Sequence, residues 1–134
     1  MILPTWCGGL RAIFLSVHRE DFHYRLRDFL SKLSATLEKL YADPEVSIEN
    51  IAAAMYISRT SLHLNLKRIL NKNATELLNE YRLKKALVML ENDMPINEIA
   101  YHCGYREANY FSRVFKKYHQ LSPQKYRETH FKKN

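Results

Sequence analysis

The stretch INEIAYHCGYREANYFSRVFKK, Ile96 to Lys117, decides how the rest of the chain is read. Ile96, Ile99, Ala100 and Cys103 recur at steps of three and four, which places apolar side chains on one face of a short α-helix. Gly104-Tyr105 supplies a tight turn. From Glu107 to His119 the apolar set passes to Phe111, Val114, Phe115 and Tyr118, again one helical face. Two short helices around a tight turn make a helix-turn-helix pattern. Burying Phe111 and Phe115 leaves Ala108, Asn109, Ser112, Arg113 and Lys116 on the outer side of the second helix.

Upstream, the same order occurs once more. Ser47 is a natural N-cap for a segment carrying Ile48, Ile51, Ala52 and Met55, with Glu49 in the first turn where the helix dipole favours an acid. A second cap, Ser58, opens a helix to Leu70 with Leu62, Leu66 and Ile69 as its buried stripe, and Asn71 suits the left-handed position that ends it. The outer side then carries Arg59, Thr60, His63, Leu64 and Lys67. Equivalent residues lie 48 apart in the first helices and 49 apart from Leu62/Phe111 onward, including Leu66-Lys67 with Phe115-Lys116 and Asn73-Ala74 with Ser122-Pro123. An internal duplication with one extra residue in the second turn accounts for this shared order.

Asn73 followed by Glu76 reads as a capping box for a helix from Thr75 to Glu91, about 25 Å long at ~1.5 Å per residue, stopped by Asn92-Asp93-Met94-Pro95. A longer amphipathic helix starts near Asp21 as N-cap, buries Leu26, Phe29, Leu30, Leu33, Leu37 and Leu40, and is ended by Asp43-Pro44. Ser122-Pro123 starts a last short helix containing Tyr126, since serine caps and proline suits the first turn. The expected fold is all-α: two helix-turn-helix subdomains joined by a central linker helix. Residues 1–20 are unassigned, 21–72 form the first lobe with its leading helix, 73–91 the linker, and 92–134 the second lobe.

With 134 residues, the chain is too short to hold a regulatory fold beside such a unit. Only three glycines and four prolines interrupt it, which favours helix throughout. Lys and Arg total 21 against 14 Asp and Glu, a net +7, which favours a polyanionic partner. From Gly104 to the end, eight Lys and Arg face only Glu107 and Glu128, a net +6, so the excess charge sits largely in the second motif and its tail. Cys7 and Cys103 are far apart and support neither a disulfide framework nor a zinc finger, which suits a reduced cytoplasm. Met1 to Val17 mixes apolar residues with Pro4, Gly8, Gly9 and Arg11, and reads as neither membrane span nor signal peptide.

In a helix-turn-helix, the second helix enters the DNA major groove while the first crosses the backbone. Arg113 and Asn109 are the sharpest readers, since arginine bonds guanine bidentately and asparagine does the same with adenine. Thr60 and His63 are less specific. Lys67, Arg68, Lys116 and Lys117 suit phosphate, which adds affinity and salt dependence without sequence choice.

From about Phe29 to Arg127 the chain resembles the DNA-binding domain of the AraC/XylS family of bacterial transcription regulators. The resemblance rests on Ile99-Ala100, Gly104-Tyr105, Tyr110 to Lys117, Ser122-Pro123, Tyr126-Arg127 and, on the central helix, Arg82-Leu83-Lys84-Lys85-Ala86. It implies two lobes joined by the central helix, both recognition helices addressing successive major grooves of double-stranded DNA. It also implies RNA polymerase, or a sensor domain elsewhere in a longer chain, as partner, and no cofactor. Three positions depart from the pattern. Tyr56 stands where a glycine usually makes the turn, which calls for a positive φ at a bulky residue. Leu64 replaces a frequent base-contacting arginine; leucine touches a thymine methyl but bonds no guanine, which puts base reading by the first motif in question. Gln120 replaces a glycine after the second recognition helix, leaving that C-cap without its usual left-handed residue. Residues 1 to about 20 lie outside the resemblance, so the chain is either a piece of a larger regulator or a short stand-alone member. Asp28-Phe29-Leu30 and Ser58-Arg59 also resemble the output domain of hybrid two-component sensors from gut anaerobes.

Competing functions have less behind them. His18 and His23 are five apart, a poor spacing for one helix face, and His102-Cys103 lacks local partners for a metal. Nothing assembles a nucleophile, base and orienter, so an enzyme is not expected. Lone Cys7, without a surrounding cysteine set, does not support a DNA-repair methyltransferase. The alternative function is a helical protein-interaction module without specific DNA reading. RNA is disfavoured because its deep, narrow major groove does not admit a helix.

Overall fold

The computed structural model describes residues 19–131, which form seven helices and, among the described residues, no strand. They are α1 (Arg19–Leu40), α2 (Ile48–Ala54), α3 (Arg59–Leu70), α4 (Ala74–Leu90), α5 (Ile96–His102), α6 (Ala108–His119) and α7 (Pro123–His130). The described residues divide into two compact units: α1 to Lys39 with Ser47–Thr75, and Leu40–Val46 with everything from Glu76 onward. Cys7, His18 and the Met1–Val17 reading lie outside the described residues. Within them, no helix is long and apolar enough to cross a membrane.

In the first unit, α1 buries Leu26, Leu30, Leu33 and Leu37 as the periodicity predicts, while Phe29 and Leu40 lie half-buried at the edge of the stripe. The helix already includes Arg19, so Asp21 sits inside its first turns rather than capping it. It also ends at Leu40, short of Asp43-Pro44, because Asp43 closes two turns of its own: its N–H donates to the Leu40 carbonyl (3.1 Å) and its carboxylate accepts from the Glu45 N–H (2.8 Å). Ser47 caps α2 as expected, with its hydroxyl accepting from the Asn50 N–H (3.1 Å). Asn50 completes the capping box, its side-chain oxygen accepting from the Ser47 N–H (2.9 Å). Ser58 caps α3 through the Ser61 N–H (3.0 Å), and Asn71 ends it at φ 54°, both as the sequence predicts. The buried stripe of α3 closes on Leu70, with Ile69 half-buried beside it. Helix α4 begins right after Asn73 and is displaced by one residue from the predicted Thr75–Glu91.

The second unit is built around Leu83, Ala86 and Leu90 of α4, Ile99, Ala100 and Cys103, the turn residue Tyr105, and Phe111, Val114 and Phe115 of α6. Aromatic rings fill it at tilted and edge-to-face angles: Phe111 and Phe115 lie 5.9 Å apart at 56°, and Tyr126 of α7 meets Phe115 at 5.4 Å and 85°. Ser122 caps α7 through the Lys125 N–H (3.2 Å), with Pro123 in its first turn. Gln120 itself adopts φ 64°, so the C-cap of α6 does have a left-handed residue, contrary to the sequence expectation. Its backbone N–H donates to the Lys116 carbonyl at 2.8 Å, and that bond offsets part of the cost of the conformation.

The two turns differ in how they meet the same demand. Gly104 takes φ 89°, and a Cβ there would run into the Tyr41 carbonyl and the Arg82 guanidinium. Tyr56 takes φ 57° with a full side chain that is 94% exposed, so the strain inferred from the sequence is present and no packing repays it. Opposite outcomes follow for two substitutions. Gly104→Ala is expected to cost ~2 kcal/mol or more, from both φ and the clash. Tyr56→Gly is expected to stabilise by about 1 kcal/mol, since relief of the left-handed penalty outweighs added freedom in the unfolded chain. Urea unfolding of each variant checks both signs; a destabilised Tyr56→Gly would mean that the exposed ring carries a folded-state contact.

Candidate nucleic-acid interface

Each helix-turn-helix presents one outward face, fixed by the residues it buries. In the first unit, Thr60, His63, Leu64 and Lys67 of α3 are exposed, with Arg68 beside them, because Leu62, Leu66 and Leu70 hold the other side in the core, and Arg59 is exposed as the first residue of the helix. Arg59, at the start of the helix, is held by Glu49 of α2 at 2.9 Å (Nη1–Oε1). The pair is exposed on both sides and therefore worth little in stability, but it sets the direction of the guanidinium.

In the second unit, Asn109, Arg113 and Lys116 of α6 are exposed, while Ala108 and Ser112 are half-buried, Ala108 packing on the core cluster. The freely presented set is thus narrower than the sequence face. Glu107, at the N-cap of α6, makes no side-chain cap bond. The Arg113 guanidinium lies 5.8 Å from the Tyr110 ring centroid, a cation–π contact that props the side chain without neutralising it. Beside it opens a recess of about 370 Å³ lined by Arg82, Arg106, Arg113, Tyr105 and Tyr110. Arg106, which the sequence reading did not single out, pairs with Glu45. It precedes the helix, outside the face that periodicity defines, and only the turn geometry brings it beside α6.

Two arginines of the recognised pattern point inward instead. Arg82, 8% exposed, donates through Nε to the Tyr41 carbonyl (2.8 Å) and through Nη2 to the Asp43 carbonyl (3.0 Å). Arg127 donates to the carbonyls of Leu90 (3.1 Å) and Met94 (2.5 Å), tying α7 to the turn after α4. Burial pushes the Cys103 thiol up to about 11, so it stays protonated at neutral pH against Met89 Sδ at 3.9 Å. His119, packed 4.6 Å from Phe115, has its pKa lowered by desolvation and serves the core. Among the described residues no group of three or more His, Cys, Asp and Glu could hold a metal.

Two helices with polar and basic outer faces, each second in a helix-turn-helix, define a helix-turn-helix DNA-binding domain. A family model described as a helix-turn-helix domain matches residues 51–129, and the chain belongs to this family, of the AraC type. The HTH-type transcriptional activator RhaS of Escherichia coli O157:H7 (strain EC4115 / EHEC) is 35% identical over 120 residues, covering 87% of this chain and 43% of that protein. RhaS of Enterobacter sp. (strain 638) is 36% identical over 100 residues, 74% of this chain and 36% of that one. The chain thus spans less than half the length of these relatives. Among solved structures, the C-terminal domain of AraT, a response regulator from Geobacillus stearothermophilus, matches with a TM-score of 0.72 at 30% identity, covering 78% of this chain and 87% of that one. The DNA-binding domain of AdpA, solved in complex with a target DNA, shares the fold with a TM-score of 0.66 at 24% identity, over 73% of this chain and 91% of that one.

The inward arginines separate structure from binding in a measurable way. Arg127→Ala strands two carbonyls and is expected to destabilise by ~1–3 kcal/mol, with the salt dependence of DNA binding unchanged at a temperature where the variant is folded. A reduced salt slope would place Arg127 on the phosphates instead.

Proposed function

We propose that this chain binds double-stranded DNA sequence-specifically, as the DNA-reading part of a bacterial transcription regulator. The observation that carries the reading is the outer face of α6: Asn109, Arg113 and Lys116 stand exposed on the side opposite buried Phe111, Val114 and Phe115. Arg113 bonds guanine and Asn109 adenine, while Lys116 and Lys117, with Lys67 and Arg68 on α3, meet phosphate. Thr60 and His63 supply weaker base contacts in the first unit, and Ser112 and Ala108 line the edge of the second reading face. The RhaS relatives are transcriptional activators by name, and the AraT domain comes from a response regulator, which supports a regulatory role with a sensor domain elsewhere in a longer chain or RNA polymerase as partner. The working division is a first lobe over 21–72, a linker over 73–91 and a second lobe over 92–134, acting in the cytoplasm without catalysis. The duplication supports two sub-sites in the operator, one per reading helix.

Selection of bound duplexes, followed by titration from low to moderate salt, tests the proposal. Log K is expected to fall steeply with log salt, and the selected sequences to contain two conserved blocks. An interaction that ignores salt would favour an apolar protein-docking face instead. Within α6, Arg113→Ala is expected to cost about 1–3 kcal/mol on the selected site and far less on a shuffled one, whereas Lys116→Ala weakens both alike. Equal losses on both duplexes for Arg113→Ala would make it a phosphate contact.

A further inference from the structure

The two units carry different chemistry at the outermost position of each reading helix. Successive residues of an α-helix turn by about 100°, so Leu64 lies about 200° from Leu62, directly away from the core formed by Leu62, Leu66 and Leu70. Arg113 stands in the same relation to Phe111, and the duplication aligns the two residues. Leu64 is 53% exposed and is the only apolar side chain among the exposed residues of α3, flanked by Thr60, His63 and Lys67. A lone exposed leucine is ordinary on a protein surface. Its placement at the point of deepest approach to a groove is what gives it meaning.

Leucine offers no hydrogen bond, and along the major-groove edges the group that rewards apolar contact is the 5-methyl of thymine. The guanidinium at the start of the helix is oriented elsewhere: Arg59 is about 60° from Leu62 on the same wheel, near the buried side, and is held by Glu49 at 2.9 Å. It is therefore not aimed at the base that faces Leu64. We infer that the first unit selects thymine through contact of Leu64 with the 5-methyl group, so that the two units read opposite chemistries at equivalent positions, a methyl in the first and a guanine edge in the second. The inference rests on the DNA-reading role proposed above.

The test uses the full chain and its selected duplex. Replacing each thymine of the first block in turn by deoxyuridine removes one methyl and leaves every hydrogen-bonding group in place. At one position wild-type affinity is expected to fall about fourfold, the worth of one buried methyl, and Leu64→Ala is expected to bind the thymine and uracil duplexes equally. At the same base pair, 5-methylcytosine is expected to bind better than cytosine for the wild type but not for Leu64→Ala. Leu64→Arg, a surface change whose folding is checked by thermal unfolding, is expected to move the preference at that pair to guanine. Uracil substitution without effect at every position, or an equal effect on wild type and Leu64→Ala, overturns the inference while leaving DNA binding intact. Absence of any sequence-specific binding by the wild type overturns the DNA-reading role itself.

Discussion

The second unit hangs on one buried guanidinium. Arg82 leaves α4 to donate to the carbonyls of Tyr41 and Asp43, and its guanidinium carbon lies over the Tyr105 ring, 5.3 Å from the centroid. Burial lowers its pKa, with Tyr105 and Cys103 acting in the other direction. The carbonyls and the ring supply the partners that a desolvated cation requires. Everything around it is then constrained. The loop after α1 must pass close to α4, so residue 104 has no room for a side chain, and the turn between α5 and α6 must be glycine. Tyr105, locked between Arg82, the Asn79 side chain (2.9 Å) and Phe111, sets where α6 begins. Arg82 and Tyr105 line the same recess as Arg113, so the buried cation and the exposed reading arginine share one wall of the second unit.

The first unit has no counterpart to that network at its turn. Tyr56 takes a left-handed conformation with its ring in solvent, and the turn is held by backbone bonds, among them Ile57 N–H to the Ala52 carbonyl at 3.1 Å, and by the buried Met55 side chain. Its reading helix is instead anchored by conventional caps at both ends, Ser58 and Asn71, whereas α6 starts at Glu107 without a side-chain cap. The duplicated halves therefore reach one backbone shape by different means: local hydrogen bonding in one, tertiary packing around a buried cation in the other. Their outer faces have diverged in the same way, with an exposed arginine in one and an exposed leucine in the other at equivalent positions.

Much of this was legible in the amino-acid sequence because helices are local. Periodicity at three and four together with cap signals located the described helices: Ser47, Ser58 and Ser122 marked three starts, the last of them by its cap and proline alone, and Asn71 marked an end, since caps and dipoles act within one turn of chain. The outer face of α3 followed from which residues had to be buried, that of α6 did so except for half-buried Ala108 and Ser112, and the positive φ of Tyr56 followed from the resemblance, which has glycine there. The AraC-type family was readable in the second motif for the same reason: its signature is a set of local packing and turn requirements.

Only the tertiary structure decided what long-range contact controls. No local rule distinguishes Arg82 and Arg127, which turn inward to backbone carbonyls 33 to 41 residues away, from Arg106 and Arg113, which stay at the surface. Nor does any local rule show that Glu49 holds Arg59, that Gln120 accepts the left-handed cap usually given to glycine, or that the helix after Asp21 closes at Leu40. A helix face is set by the angle between neighbours on one segment, but the fate of a long flexible cation on that face is set by which carbonyl or carboxylate the rest of the fold brings within reach.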